Sequence, residues 1–202
     1  MESKNFAKIA LPEIVPVLLV LMTRQEEDDD DEWNISMSAA YCLGVLAQAV
    51  QDTIVPAVIP FIEAHIRSTD WHHREAAVMA FSCILDGPDP MVLTPLVNQA
   101  LPILIDMMND SELHVKDTVA WTLGKVCEVL VSSIHPDLHL YPLVTALVNG
   151  LQDSPRIAAN CCWALQNLVD GMGAYNEDSD RPFCMSPYYE GVIQALLRLT
   201  ET

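Results

Sequence analysis

The most highly charged part of the sequence is a run of seven carboxylates. Like charges repel one another and are strongly hydrated, so the run predicts an exposed loop. One interpretation is a solvated loop without a partner. The other is a surface that attracts a Lys/Arg-rich protein and depends strongly on salt. Calcium binding is disfavoured, because the acidic alternation and the glycine of an EF-hand loop are missing. The residues are Glu26, Glu27, Asp28, Asp29, Asp30, Asp31 and Glu32.

Two tryptophans 42 residues apart, Trp121 and Trp163, are surrounded by polar side chains in helical projection. A single tryptophan is usually a core residue, but the repeated polar setting predicts two exposed rings on one wall of the fold. An indole ring packs on the aliphatic stem and guanidinium of arginine. Carboxylates and amides pair with the guanidinium N–H groups or with the backbone of the same peptide. The pattern predicts a groove for a basic peptide. Its residues are Trp33, Asp117, Trp121, Asn160, Trp163 and Asn167.

Motifs for catalysis, metal binding or phosphate binding are not found in the sequence. His72 and His73 are not accompanied by cysteines or carboxylates at metal-ligand spacing, and Cys161–Cys162 has no second pair. Glycine-rich phosphate loops and nucleophile motifs such as Gly-x-Ser-x-Gly are absent. We therefore expect no enzyme activity, no metal and no cofactor.

The composition restricts the class of partner. The 202 residues carry 28 acidic and 10 basic side chains, a net charge of −18, and 51% of them are hydrophobic. Such an excess of negative charge keeps a protein soluble, repels nucleic acid and anionic membranes, and favours cationic partners. We expect neither a signal peptide nor a membrane span, because no suitable uncharged apolar run is present. Six cysteines, five of them in apolar helical patterns, indicate the cytosol or nucleus.

The sequence repeats with a period near 40 residues. Similar apolar helices start around Pro60, Pro102 and Pro142, which are 42 and 40 residues apart, and the helices that follow align through Trp121 and Trp163. Asp70, Asp110 and Asp153, at the polar corners between paired helices, are expected to cap the second helices. Two helices in each period of this length are the signature of a HEAT-type solenoid.

We therefore predict an all-α fold, a right-handed superhelical solenoid of HEAT repeats with about four helical hairpins plus one extra helix. Residues 1–202 form a single array in this interpretation. Amphipathic helices at both ends predict that the array continues. The approximate repeats are 4–51, 53–87, 89–132 and 138–172, followed by the first helix of a further repeat at 187–200.

Four segments closely resemble the importin-β family of nuclear import receptors. They are Thr53–Ile66 (TIVPAVIPFIEAHI), Asp70–Phe81 (DWHHREAAVMAF), Asp117–Lys125 (DTVAWTLGK) and Pro155–Leu165 (PRIAANCCWAL). The acidic run followed by Trp33 resembles the acidic loop of that family. The resemblance covers essentially the whole chain and corresponds to the middle repeats of these receptors.

The resemblance implies particular partners. Glu26–Glu32 would contact a basic patch on the GTPase Ran in its GTP form. Trp33, Trp121 and Trp163 would hold the arginine-rich importin-β-binding segment of importin-α or a basic cargo protein, with Asp117 and Asn160 as polar contacts. Phe-Gly nucleoporins bind mainly the outer face of earlier repeats. Ran-GTP would release cargo by competition, in a receptor that shuttles between cytoplasm and nucleus through the pore of the nuclear envelope.

A different class of function stays open at this point. A HEAT array also serves as the scaffold of assemblies unrelated to transport, in which case the acidic loop would have no partner. The positions of the tryptophans distinguish the two classes, because a scaffold needs no exposed aromatic rings on a polar wall.

Overall fold

The computed structural model describes residues 5–25, 34–176 and 183–200. In these ranges the chain is helical and contains no strand, which confirms the all-α prediction. The helices are α1 (Phe6–Met22), α2 (Ile35–Val50), α3 (Val55–His65), α4 (Trp71–Cys83), α5 (Pro90–Met107), α6 (Leu113–Val129), α7 (Tyr141–Gly150), α8 (Pro155–Asn176) and α9 (Tyr189–Thr200). Short 3-10 turns span Gln51–Ile54, Val131–Ser133 and Ser186–Tyr188, and a π turn spans Pro136–Leu140.

The chain divides into two compact units, Met1–Leu93 and Thr94–Thr202. In the first unit α1 packs on α2, α3 packs on α4, and α2 also contacts α4. Apolar residues at helical spacing form its core, because they give each helix one buried stripe. The stripes of α1 and α2 are Leu11, Val15, Leu19 and Met22 on α1, and Ala39, Leu43, Ala47 and Val50 on α2.

In the second unit α8 packs against both α6 and α7. Small residues permit this close approach: Ala120 on α6 and Ala164 on α8 are fully buried. Larger apolar side chains fill the space around them. The fully buried ones include Leu123, Val126, Leu143, Leu147 and Leu168. The packing of α8 against α6 positions the candidate binding residues.

Three aspartates, Asp70, Asp110 and Asp153, were predicted to cap the second helix of a pair, and one of them does so. Asp70 is the N-cap of α4 and accepts a hydrogen bond from the His72 N–H at 3.0 Å. The His72 imidazole also bonds to this carboxylate, which lowers the pKa of Asp70 to about 2. Asp110 and Asp153 instead accept bonds from the backbone of Glu112 and Ser154, so they stabilise the turn before each helix. The prediction that these two residues cap helices is therefore wrong.

Helix α8 continues to Asn176, beyond residue 172, where the sequence predicted the end of this repeat. The Gly-Met-Gly sequence at 171–173 has low helix propensity. In the structure Met172 is buried and Gly171 lies against Val131, where an added Cβ would come within 2.8 Å of a side-chain carbon. Packing of this segment on the preceding 3-10 turn therefore outweighs its weak intrinsic preference.

Prolines occur inside the odd-numbered helices of the first part of the chain. Two lie within α1, one within α3 and two within α5. Helices α2, α4 and α6 contain none. Each internal proline lacks an N–H and leaves one carbonyl of the preceding turn without its helical donor. The prolines are Pro12, Pro16, Pro60, Pro95 and Pro102.

A tight turn follows α4. Gly87 has φ +128°, a conformation that side chains disfavour, and a Cβ there would lie 2.5 Å from the Ala47 carbonyl oxygen. The backbone N–H of Asp89 donates to the Asp52 carboxylate at 2.7 Å, which joins this turn to the 3-10 turn after α2. The glycine therefore permits close contact between two turns of the first unit.

Two helical stretches of the described chain, Ile35–His65 and Pro90–Met107, are long and apolar enough to cross a membrane. The sequence expectation of no membrane span rested on the absence of a long apolar run without any charged residue, whereas these stretches contain one or two acidic residues. The first stretch is interrupted by the 3-10 turn Gln51–Ile54. The second has a buried stripe formed by Leu93, Val97, Leu101 and Leu104. Core helices of soluble proteins have the same length and composition, so these two properties do not distinguish the cases.

Candidate peptide-binding surface on helices α6 and α8

The α6 side of the surface follows from the buried stripe of that helix. Val115, Val119, Leu123 and Val126 are fully buried. Asp117 and Trp121 are four residues apart at the edge of this stripe, so they lie on one face, and both are only partly buried. Gly124, three residues after Trp121, continues the same face. Trp121 is thus partly buried, between the core position usual for a tryptophan and the exposed position that the helical projection predicted.

The α8 side contributes Asn160, Trp163 and Asn167, which are three and four residues apart and all partly buried. The six-membered ring of Trp163 lies against Gly124 of α6. A Cβ built on Gly124 would come within 2.5 Å of Trp163 Cζ3 and 3.3 Å of Cδ2. The indole therefore occupies the space that a side chain at position 124 would fill.

Polar contacts connect the two helices beside the tryptophans. Asn160 Nδ2 donates to Asp117 Oδ1 at 2.8 Å, and Arg156 Nε lies 2.8 Å from Asp117 Oδ2. Asn167 Nδ2 donates to the Gly124 carbonyl oxygen at 3.3 Å. Both carboxylate oxygens of Asp117 thus have partners on α8. Its side chain is only 15% exposed, whereas that of Arg156 is 54% exposed.

The structure brings five of the six sequence-predicted residues together: Asp117, Trp121, Asn160, Trp163 and Asn167. Trp33 and the acidic run Glu26–Glu32 lie outside the described residues. The described residue before that run is Gln25, whose side-chain amide donates to the His72 carbonyl at 2.9 Å. The chain that leads into the acidic run is therefore attached to the first turn of α4.

Sequence reasoning missed two residues of this surface, Arg156 and Gly124. Arg156 stands four residues before Asn160, so helical spacing alone places it on the same face. No comparable signal exists for Gly124, because its role depends on which ring packs against it from another helix.

An ion pair next to this surface joins the start of α6 to the turn before α8. The Lys116 ammonium contacts the Asp153 carboxylate, and both side chains are mostly shielded from solvent. The hydrogen bond from Lys116 is the main reason why the pKa of Asp153 is lowered from its usual value. The pair links the start of α6 to the turn that precedes α8, so it supports the relative position of the two helices.

Two buried cysteines near the candidate peptide-binding surface are poorly suited to nucleophilic attack or metal binding. Burial raises the pKa of both Cys127 and Cys161 to about 12. A thiol with such a pKa is protonated at neutral pH and is a poor nucleophile or metal ligand. In the part of the chain that the structure describes, no group of three or more His, Cys, Asp or Glu side chains is placed to hold a metal ion.

Paired helices at a regular period define a class, the helical-repeat proteins. The family described as "HEAT-like repeat" matches residues 71–126, and the family described as "Importin subunit beta-1-like, TPR repeats" matches residues 142–202. Importin subunit beta-1 of Schizosaccharomyces pombe is 51% identical over 201 residues, 99% of this chain and 23% of the relative. The chain belongs to the importin-β family, which confirms the HEAT-type fold and the resemblance.

Solved structures agree with this assignment. A crystal structure of importin beta in an ammonium sulfate condition matches with a TM-score of 0.94 and 44% identity, over 100% of this chain and 23% of that one. Structures of Kap95p with RanGDP and of the Kap95:Nup1 complex match with TM-scores of 0.91 and 0.90, both at 42% identity over 98% of this chain and 22% of theirs. The chain thus spans about a quarter of the length of the relatives it matches.

Proposed function

We propose that this chain is part of a nuclear import receptor and that its α6/α8 surface binds arginine-rich segments, such as that of importin-α or of a basic cargo protein. The observation that carries the proposal is the pair of partly buried tryptophans on one polar face. Partly exposed indole faces next to carboxylates and amides can stack on guanidinium groups, and a scaffold has no need of such a pair. The family membership supports transport as the context of this binding.

The polar groups of the surface suit such a ligand. An indole face attracts a guanidinium, and the net charge of −18 attracts a basic chain from a distance. Asp117 already holds Arg156, so an incoming arginine exchanges with an arginine of the protein itself. Such an exchange replaces one charge-assisted contact by another, so most of the net binding free energy would come from stacking on the tryptophans.

A titration with a fluorescent arginine-rich peptide tests this function. We expect binding that weakens steadily as salt rises from about 0.1 M to about 0.5 M, because screening shortens the range of the attraction. A peptide of the same length with every arginine replaced by glutamine serves as the control and should not bind. Equal affinity for both peptides would contradict the proposal and favour a scaffold of a non-transport assembly.

We further propose that the acidic run Glu26–Glu32 contacts Ran in its GTP form and that this contact helps to displace the basic segment. Seven adjacent carboxylates complement a Lys/Arg patch. The structure of Kap95p with RanGDP, which matches this chain, supports Ran as a partner. Because Ran and the basic segment would bind the same receptor competitively, Ran-GTP lowers the affinity for cargo.

Neutralising the acidic run tests the Ran contact. In the full-length receptor that contains this chain, changing all seven carboxylates to their amides should slow association with Ran-GTP by about tenfold at low salt, because long-range attraction acts on the association rate. The two rates should converge at high salt. As a control, the exposed carboxylates of Glu13, Glu63 and Asp137 are neutralised instead. An unchanged association rate for the loop variant would indicate a solvated loop without a partner.

The same proposal includes location and further partners. A receptor of this family would shuttle between cytoplasm and nucleus and would meet Phe-Gly nucleoporins in the nuclear pore. The Kap95:Nup1 complex supports a nucleoporin as a partner of the whole receptor. No residue of this chain is assigned to that contact.

A further inference from the structure

Gly124 occupies an unusual position for a glycine. It lies inside α6, is buried, and does not have a positive φ, so the backbone conformation does not require glycine. Alanine at such a position would favour the helix by about 1 kcal/mol. The glycine must therefore be explained by what lies against it.

The group that lies against Gly124 is the six-membered ring of Trp163. The three nearest atoms to a Cβ built there are all carbons of this ring, namely Cε3, Cζ3 and Cδ2. At about 2.5 Å such a contact is impossible, so the indole would have to move. The carbonyl oxygen of Gly124 also accepts a hydrogen bond from the Asn167 side-chain amide at 3.3 Å. Gly124 thus touches two predicted binding residues of α8.

We propose that Gly124 is a positioning residue of the peptide-binding surface. Its missing side chain lets the Trp163 indole lie directly against α6, and this contact determines the direction in which the ring presents its face. A larger residue at position 124 would push the ring away from α6 and rotate it. We call this contact between the Trp163 ring and Gly124 the indole seat. It is a property of the fold, whereas the effect of the contact on binding rests on the proposed function above.

Direct observation of the indole tests the seat. The full chain has four tryptophans, so 5-fluorotryptophan labelling gives four 19F resonances, and Trp163→Phe assigns one of them. We expect Gly124→Ala to shift the Trp163 resonance and leave that of Trp71 unchanged. Gly173→Ala is the matched control, because it is also in a helix of the second unit and a Cβ there would meet nothing within 4 Å. It should shift neither resonance.

Peptide binding tests the consequence. Gly124→Ala should weaken binding of the arginine-rich peptide by about tenfold, and Gly173→Ala should not. In a Trp163→Ala background, Gly124→Ala should cause no further loss, because the ring that it displaces is gone. An additional tenfold loss in that background would contradict a role through Trp163.

The outcomes separate this inference from the proposed function. An unmoved Trp163 resonance in Gly124→Ala would overturn the seat. A shifted resonance with unchanged affinity would overturn the positioning role, even if the peptide binds through Trp163. Unchanged affinity in Trp163→Ala itself would overturn the contribution of this tryptophan to the proposed function, and with it the positioning role.

Discussion

Replacing Trp121 and Trp163 together by alanine should weaken the binding of an arginine-rich segment by at least about thirtyfold, or ~2 kcal/mol. Each partly buried indole offers a large rigid face at low entropic cost, and buried aromatic residues dominate most interfaces. The loss should appear mainly in the dissociation rate, since the charges that guide association are unchanged. Isothermal titration calorimetry measures the affinity directly.

A third tryptophan provides the control for this experiment. Trp71 is also partly buried, but it starts α4 in the other unit and stacks on His72 at a ring distance of 3.8 Å. Trp71→Ala should leave peptide affinity within about twofold. Equal losses from Trp71→Ala and from the double variant would mean that general loss of structure, not the α6/α8 surface, explains the result. Unchanged affinity of a folded double variant would refute the assignment.

Gly87→Ala should lower the free energy of unfolding of the chain by about 3 kcal/mol. A φ of +128° is strained for alanine, which accounts for 1–2 kcal/mol by analogy with other positive-φ positions. The added Cβ also meets backbone atoms at 2.5–2.9 Å, namely the carbonyl group of Ala47 and the Cα of Gln48. Backbone cannot rotate out of the way as a side chain does, so the tight turn after α4 must open.

Gly44→Ala is the matched control in the same unit. Gly44 lies inside α2, and the nearest atom to a Cβ there is the Cys83 carbonyl oxygen at 4.0 Å, an ordinary contact. This change should raise the unfolding free energy by up to about 1 kcal/mol, because alanine favours the helix. Urea unfolding followed by circular dichroism measures both variants. The explanation fails if the two substitutions shift stability in the same direction.

Helical spacing was sufficient to predict the helices and the polar setting of the tryptophans. The buried stripe through Val115, Val119 and Leu123 leaves Trp121 at its edge whatever the neighbouring helices do. The end of α8 could not be predicted in this way, because Gly171 owes its helical state to contact with Val131. Contacts between helices are not encoded in the periodicity of either helix.

The same limit applies to Asp117. Its residue type and spacing predicted a carboxylate that pairs with a partner's arginine. The structure gives one oxygen to Asn160 and the other to Arg156, which is a residue of the chain itself. Only the distance between α6 and α8 decides whether these groups meet. Helical projection places residues on a face but does not show which neighbouring residues already satisfy them.

The internal prolines of α1, α3 and α5 have a mechanical consequence. A helix with a missing hydrogen bond bends at lower energy than an intact one, so these helices are the compliant members of the array. Helices α2, α4 and α6, which carry no proline, are the stiff members. A load on such an array is expected to change the bend of the proline-containing helices first, while the spacing of side chains along α6 is preserved. The α6 side of the proposed peptide-binding surface would then keep its geometry, while the helices with internal prolines bend.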